Sequence, residues 1–203
     1  MPKGIVPSDS RYVPLTQQRF CCVPTCIQMI MLRRNIPLLP AELLGYHMGL
    51  TLPKEELRYF WNGRTGLKPK AGYGTQIGKK QYELNTVFKN LNIPLKVNLV
   101  LIDEFNNFSQ FKDYLINLKK YDKDVLVCYD WGTLFGADSH NGHVCVLDKV
   151  IINKNEVRII DPEYKASKWK VVKMEKLYDA MVFHGKDKSA GFWEFDVLQN
   201  GDC

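Results

Sequence analysis

The apolar periodicity changes half-way along the chain, and that change restricts the fold more than any other feature. As far as about residue 91 apolar residues recur at helical spacing; beyond it short apolar runs bounded by turn signals take over. Val23–Arg34 reads as a helix with Cys26, Ile27, Ile30 and Met31 on one stripe. Pro24 suits its first turn, where a missing N–H costs nothing. Shorter helices are predicted at Pro40–Leu50, Lys54–Trp61 and Gln81–Leu91, the last with Leu84, Val87, Phe88 and Leu91 on one face. Between them Asn62–Lys80, rich in Gly, Lys and Thr, reads as a long loop. Loops of that length are commonly functional, and with Trp61 and Tyr73 this one is a candidate to line or cover a cleft.

In the second half Leu95–Ile102 reads as a strand. Phe108–Tyr121 follows as a helix with Phe108, Phe111, Leu115 and Leu118 in register. Val125–Tyr129 is a short apolar strand, and Val144–Ile152 with Glu156–Ile160 makes a hairpin across Asn153-Lys154-Asn155. A helix near Met174–Ala180 and a strand at Gly191–Val197 close the pattern. Helices first and strands later predict an α+β fold. We expect one domain of two lobes over residues 1–203, with an extended arm over the first 15, where three prolines break any period.

Composition removes several function classes. The net charge is +6, but Lys and Arg are scattered (Arg33-Arg34, Lys79-Lys80, Lys119-Lys120, Lys165, Lys168, Lys170, Lys173), not gathered into the stripe that a nucleic-acid partner requires. The opening MPKGIVPSDSRYVPL has no apolar core of a signal peptide, and no window has the eighteen apolar residues of a membrane span. The expected location is cytoplasmic, with the six cysteines mostly reduced. Cys21-Cys22-x3-Cys26 is a single cluster without the second pair of a structural zinc site, so no metal ligands are expected.

Three residues stand out chemically. Cys22 directly precedes a helix, where free N–H groups and the helix dipole favour thiolate over thiol. His143, in Asn141-Gly142-His143-Val144, opens an apolar strand, and Gly142 lets the backbone approach a neighbour closely. Asp161 ends the paired strand, where a carboxylate is able to accept from an imidazole nitrogen and fix its tautomer. Each has a plain structural alternative: a small buried thiol, a satisfied core histidine, a turn residue before Pro162. Together they follow the order nucleophile, base, acid of papain-type cysteine hydrolases.

The motifs Gln17-Gln18-Arg19-Phe20-Cys21-Cys22-Val23-Pro24, Gly142-His143-Val144 and Asp161-Pro162 resemble those of the papain-like peptidases that process double-glycine leader peptides of bacteriocins, and more closely their stand-alone relatives. The resemblance spans roughly residues 15 to 165 and rests on these three short motifs. It implies a papain-like two-lobed fold and a cysteine hydrolase acting on a peptide or amide bond, with a peptide or protein substrate and no metal or organic cofactor. It also implies an oxyanion glutamine, for which Gln17 is preferred over Gln18. Val23 departs from the family's glycine after the nucleophile, which narrows the space beside that site, and Cys21 is a rival nucleophile one place earlier. An acyltransferase or deamidase on the same fold, or a catalytically silent peptide-binding module, fits the same residues. Neither the substrate's identity nor the oligomeric state is written in the sequence.

Overall fold

The segment Asp124–Asp130 is buried at every residue, which an antiparallel strand achieves only when both faces of its sheet are covered. In the computed structural model, which describes residues 7–60, 66, 68–163, 165 and 168–198, this segment is the third of six strands in one sheet. In chain order the helices are α1 (Cys22–Arg33), α2 (Ala41–His47), α3 (Leu84–Asn90), α4 (Phe108–Leu118), α5 (Trp131–Phe135) and α6 (Met174–His184). The strands are β1 (Thr51–Leu52), β2 (Lys70–Ala71), β3 (Leu95–Leu101), β4 (Asp124–Asp130), β5 (Gly142–Ile151), β6 (Glu156–Ile160), β7 (Trp169–Lys173) and β8 (Gly191–Val197). The large sheet runs β3-β8-β4-β5-β6-β7, every pairing antiparallel, and β1 and β2 form a separate parallel pair. The architecture is α+β.

Alternation along the strands divides the core in two. Cys128, Val144, Val146, Ile160 and Trp193 face α1 and α3, packing on Ile27, Ile30, Met31, Val87 and Phe88. Val127, Tyr129, Cys145, Leu147, Ile159 and Phe192 face α4 and α6, packing on Phe111, Leu115, Leu177 and Met181. The apolar stripe of α1 is fully enclosed, with Cys26, Ile27, Ile30 and Met31 each at 0% exposure. Sealing that stripe is the principal reason the helix lies on the sheet.

Most predicted elements are present with shifted ends. Helix α1 begins one residue early, so Cys22 is its first residue. The helix expected at Pro40–Leu50 is confined to Ala41–His47, with Gly49 left-handed just beyond. Lys54–Trp61 is a 3-10 turn over Lys54–Tyr59 instead of an α-helix, and Trp61 lies outside the described residues. Part of the expected 62–80 loop also lies outside them; the described part contains β2 and a turn. Gln81–Leu91 starts as a 3-10 turn and becomes α-helical only from Leu84. The predicted hairpin is β5–β6, turning through a 3-10 turn and a left-handed Asn155. The α4 helix stops at Leu118, and α6 runs past Ala180 to His184.

The described part of the arm has no regular element before α1 but is anchored. The Tyr12 hydroxyl donates to Asp124 at 2.7 Å, and Ser10 Oγ donates to Asp148 at 2.9 Å. Asp124 also takes Arg33 and Arg34, so the arm, α1 and β4 meet on one buried carboxylate. Among the described residues no helix is long and apolar enough to cross a membrane.

Candidate active site

The tip of α1 presents a thiol and bare N–H groups. Pro24 has none to offer, the Thr25 N–H goes to the Cys21 carbonyl and the Cys21 N–H to the Gln18 carbonyl. No side chain caps the helix and its first turn holds no acid, so the N–H groups of Cys22 and Val23 have no acceptor among the described residues. Such a tip is positive, and any group held there meets the helix dipole. Phe20, two residues earlier, holds a left-handed φ of 63°, costly for a bulky residue and frequent where a functional turn is over-determined by its surroundings. Its ring meets Tyr73 edge-on at 6.5 Å, so the described part of the long loop does reach the approach to Cys22.

The hairpin supplies the other half. Register pairs Val146 with Ile160, and one further step puts Asp161 level with Cys145, a neighbour of His143 along the same row of side chains. Asp161 Oδ1 accepts from His143 Nε2 at 2.8 Å and from the Glu163 N–H at 2.9 Å. An ionised carboxylate only accepts, so Nε2 carries a hydrogen and Nδ1 is the nitrogen left for proton exchange. Burial opposes the charge on Asp161, but His143 and Lys170 outweigh it and hold the carboxyl well below the ordinary range. Burial likewise opposes charge on His143; the Cys145 sulfur, the Asp161 carboxylate and the Cys22 sulfur outweigh it, and the imidazole titrates well above its usual value. The same balance puts both sulfurs, Cys22 and Cys145, within hydrogen-bonding influence of the ring. His143 is 8% exposed and Asp161 0%.

No family model matches this sequence, and no curated protein matches it.

The geometry therefore has to be judged on its own. It brings together Cys22, His143 and Asp161, from the two halves of the chain. Gln17 and Gln18 part company. Gln17 is buried, its N–H donates to the Pro162 carbonyl at 2.8 Å and its Nε2 to Glu163 Oε2 at 3.2 Å. It is thus tied to the stretch that follows Asp161, and its buried Oε1 has no donor among the described residues. Gln18 is exposed and hydrogen-bonded to Glu42. Cys21 is fully buried among Leu50, Leu52 and Phe60, and burial pushes its thiol far up.

Three participants had no place in the sequence reading. Cys145 stands two residues after His143, and period-two alternation puts both on one face, a signal that was available. Its sulfur lies 3.1 Å from the Tyr129 hydroxyl, and burial raises its thiol. Lys170 lies on β7, a strand that the periodicity did not indicate; its Nζ is 2.8 Å from Asp161 Oδ2. His184 on α6 packs over Gly142, where a Cβ would stand 2.5 Å from the ring, so the glycine is required for close approach. The metal-ligand grouping also differs from the one weighed at Cys21-Cys22-x3-Cys26. His143, Cys145 and Asp161 have donor atoms within 4.8 Å of one another, all three buried. Those atoms are already engaged with one another, with Lys170 and with Tyr129.

Proposed function

We propose that this chain is a papain-type cysteine hydrolase that cleaves a peptide or amide bond by acyl transfer. The observation that carries the reading is the Nε2–Oδ1 contact of 2.8 Å between His143 and Asp161, together with a half-buried Cys22 acting on the same ring from a bare helix tip. In this reading the helical first half and the sheet of the second half are the two lobes of a papain-like fold. The His143 ring takes the Cys22 proton at Nδ1, and the sulfur attacks the substrate carbonyl carbon. The developing oxyanion is met by the free Cys22 N–H and by the Gln17 amide, a contribution of about 3 kcal/mol for one such donor. Asp161 holds the ring's tautomer and stabilises the imidazolium, which then protonates the leaving amine. Water releases the acyl group by the reverse proton path, and no cofactor enters. The substrate is a peptide or protein, and a reducing cytoplasmic setting suits a nucleophilic thiol.

Alkylation by iodoacetamide with mass-spectrometric mapping tests this. At pH 6 an ordinary thiol is below about 1% ionised. Cys22 should label there ahead of every other cysteine, and His143→Ala should remove the advantage. Cys22→Ala should abolish labelling and hydrolysis with the fold intact. Labelling that tracks Cys21 instead, or a Cys22 rate indifferent to His143, refutes the assignment.

A further inference from the structure

We infer that Lys170 is a positioning residue, holding Asp161 ionised and aimed at His143; the inference rests on the hydrolase reading of that site. Asp161 is at 0% exposure, and a carboxylate without water needs a partner for each oxygen. Oδ1 has two, the His143 Nε2–H and the Glu163 N–H. Oδ2 accepts no aimed hydrogen bond among the described residues, and the Lys170 ammonium at 2.8 Å is what stands against it.

The groups that bear on Asp161 arrive from every element packed around it. These are His143 and Cys145 from β5, Tyr129 from β4, Cys26 from α1, Lys170 from β7 and Lys168 just before it. Cys26, Cys145 and Tyr129 are two thiols and a phenol, which carry no positive charge in either protonation state, so they supply no counter-charge. Lys168 spends its ammonium on the Leu15 carbonyl at 3.2 Å and Thr16 Oγ1 at 2.6 Å. Among the described residues Lys170 is the lysine whose ammonium stands on the carboxylate. Its ammonium is itself held, 4.1 Å from the centre of the Phe135 ring and largely shielded from water. A lysine with no duty would extend into solvent, since burying it costs rotamer entropy and hydration.

The consequence has a definite sign. If Lys170 only added positive charge near the imidazole, its removal would raise the His143 pKa. If it holds Asp161 in place and ionised, removal strands Oδ2, the carboxyl turns or takes a proton, and the His143 pKa falls. NMR titration of the His143 ring nitrogens in the full chain separates the two. Lys170→Met should lower that pKa by about one unit, tenfold in the protonation equilibrium. Lys170→Arg should restore it. In an Asp161→Asn background Lys170→Met should add nothing, because the lysine acts through the carboxylate. Should Lys170→Met not fold, Lys170→Gln carries the same measurement. A pKa that stays or rises, an arginine variant as shifted as the methionine one, or a further shift without Asp161 overturns the inference. Cys22 alkylation in the parent reports on the hydrolase reading separately: an ordinary thiol profile there ends that reading, while the His143 titration still decides on Lys170.

Discussion

Asp161→Asn tests the buried pair where its energy is greatest. The wild-type carboxylate has two hydrogen bonds on one oxygen and an ammonium on the other, with nothing exposed. Removing one member of a buried charge pair costs about 3–5 kcal/mol when the other member must stay charged. The imidazole escapes part of that by losing its proton, so the cost depends on pH. His143 titrates above its ordinary 6.5 in the fold, so its share of stability is fully present below pH 6.5 and fades as pH rises through the folded value. Asp161 titrates below its ordinary 3.8, so its share is present above that value and fades as pH falls toward the folded one. The pair therefore contributes fully between about pH 4 and 6.5. Urea denaturation of parent and variant at pH 5 and pH 9 should show a loss of about 3 kcal/mol at the lower pH. At the higher pH the imidazole sheds its proton as pH rises through its folded value, and the loss should be smaller, about 2 kcal/mol, because the hydrogen bond to an ionised carboxylate and the Lys170 pair are still given up. For a domain of this size the acid-side loss lowers Tm by about 6–12 °C. Equal losses at both pH values, or a larger one at pH 9, refute the charged pair.

Two further outcomes follow from individual contacts. Gln17→Ala should cut turnover of a fluorogenic peptide or amide substrate by about 10²–10³, the usual effect of losing an oxyanion donor. Gln18→Ala, which removes an exposed bond to Glu42, should leave turnover nearly unchanged, and the reverse ranking would move the oxyanion role to Gln18. Gly142→Ala should destabilise by about 1–3 kcal/mol in thermal melts, because the new Cβ meets the His184 ring at 2.5 Å. Adding His184→Ala should recover part of that, and no recovery would mean the strain lies elsewhere.

What the sequence revealed and what it hid follow from how each part is stabilised. Helices α1 and α4 were legible because a continuous apolar stripe is what drives each onto the sheet. The β5–β6 hairpin was legible because apolar strands flank a short polar turn. Lys54–Tyr59 misled because its local pattern is helical, while the chain is extended again at Phe60 and the short run between winds as a 3-10 turn. Strand β7 went unseen because at an edge it needs one apolar face only, and Trp169-Lys170-Val171-Val172-Lys173 alternates too briefly to register. With β7 hidden, Lys170 had no reason to be near Asp161. The role of Gln17 was ambiguous for a similar reason. Its partner Glu163 lies far along the chain, and the bond from the Gln17 N–H to the Pro162 carbonyl, with those from Lys168 to Leu15 and Thr16, brings the two segments together.

Cysteine content alone does not separate one thiol from another, but packing does. Five cysteines are described, all free. Cys21 sits in an apolar cluster with Leu50, Leu52 and Phe60, Cys26 is on the buried face of α1, and Cys128 and Cys145 point to opposite faces of the sheet. Burial drives all four thiols upward, because a thiolate there would lose its hydration, and the pull of His143 on Cys128 and Cys145 does not make up for it. Even Cys145, with His143 beside it pulling the other way, is raised by that cost. Cys22 differs from these in position alone. It is the half-buried cysteine, it stands at a helix tip with free N–H groups, and it shares an imidazole whose proton Asp161 favours. Two adjacent residues, Cys21 and Cys22, thus have opposite chemical fates because one turns into the core as the helix cap and the other begins the helix facing the ring. In the proposed reading that difference of one residue in register separates a packing group from the nucleophile.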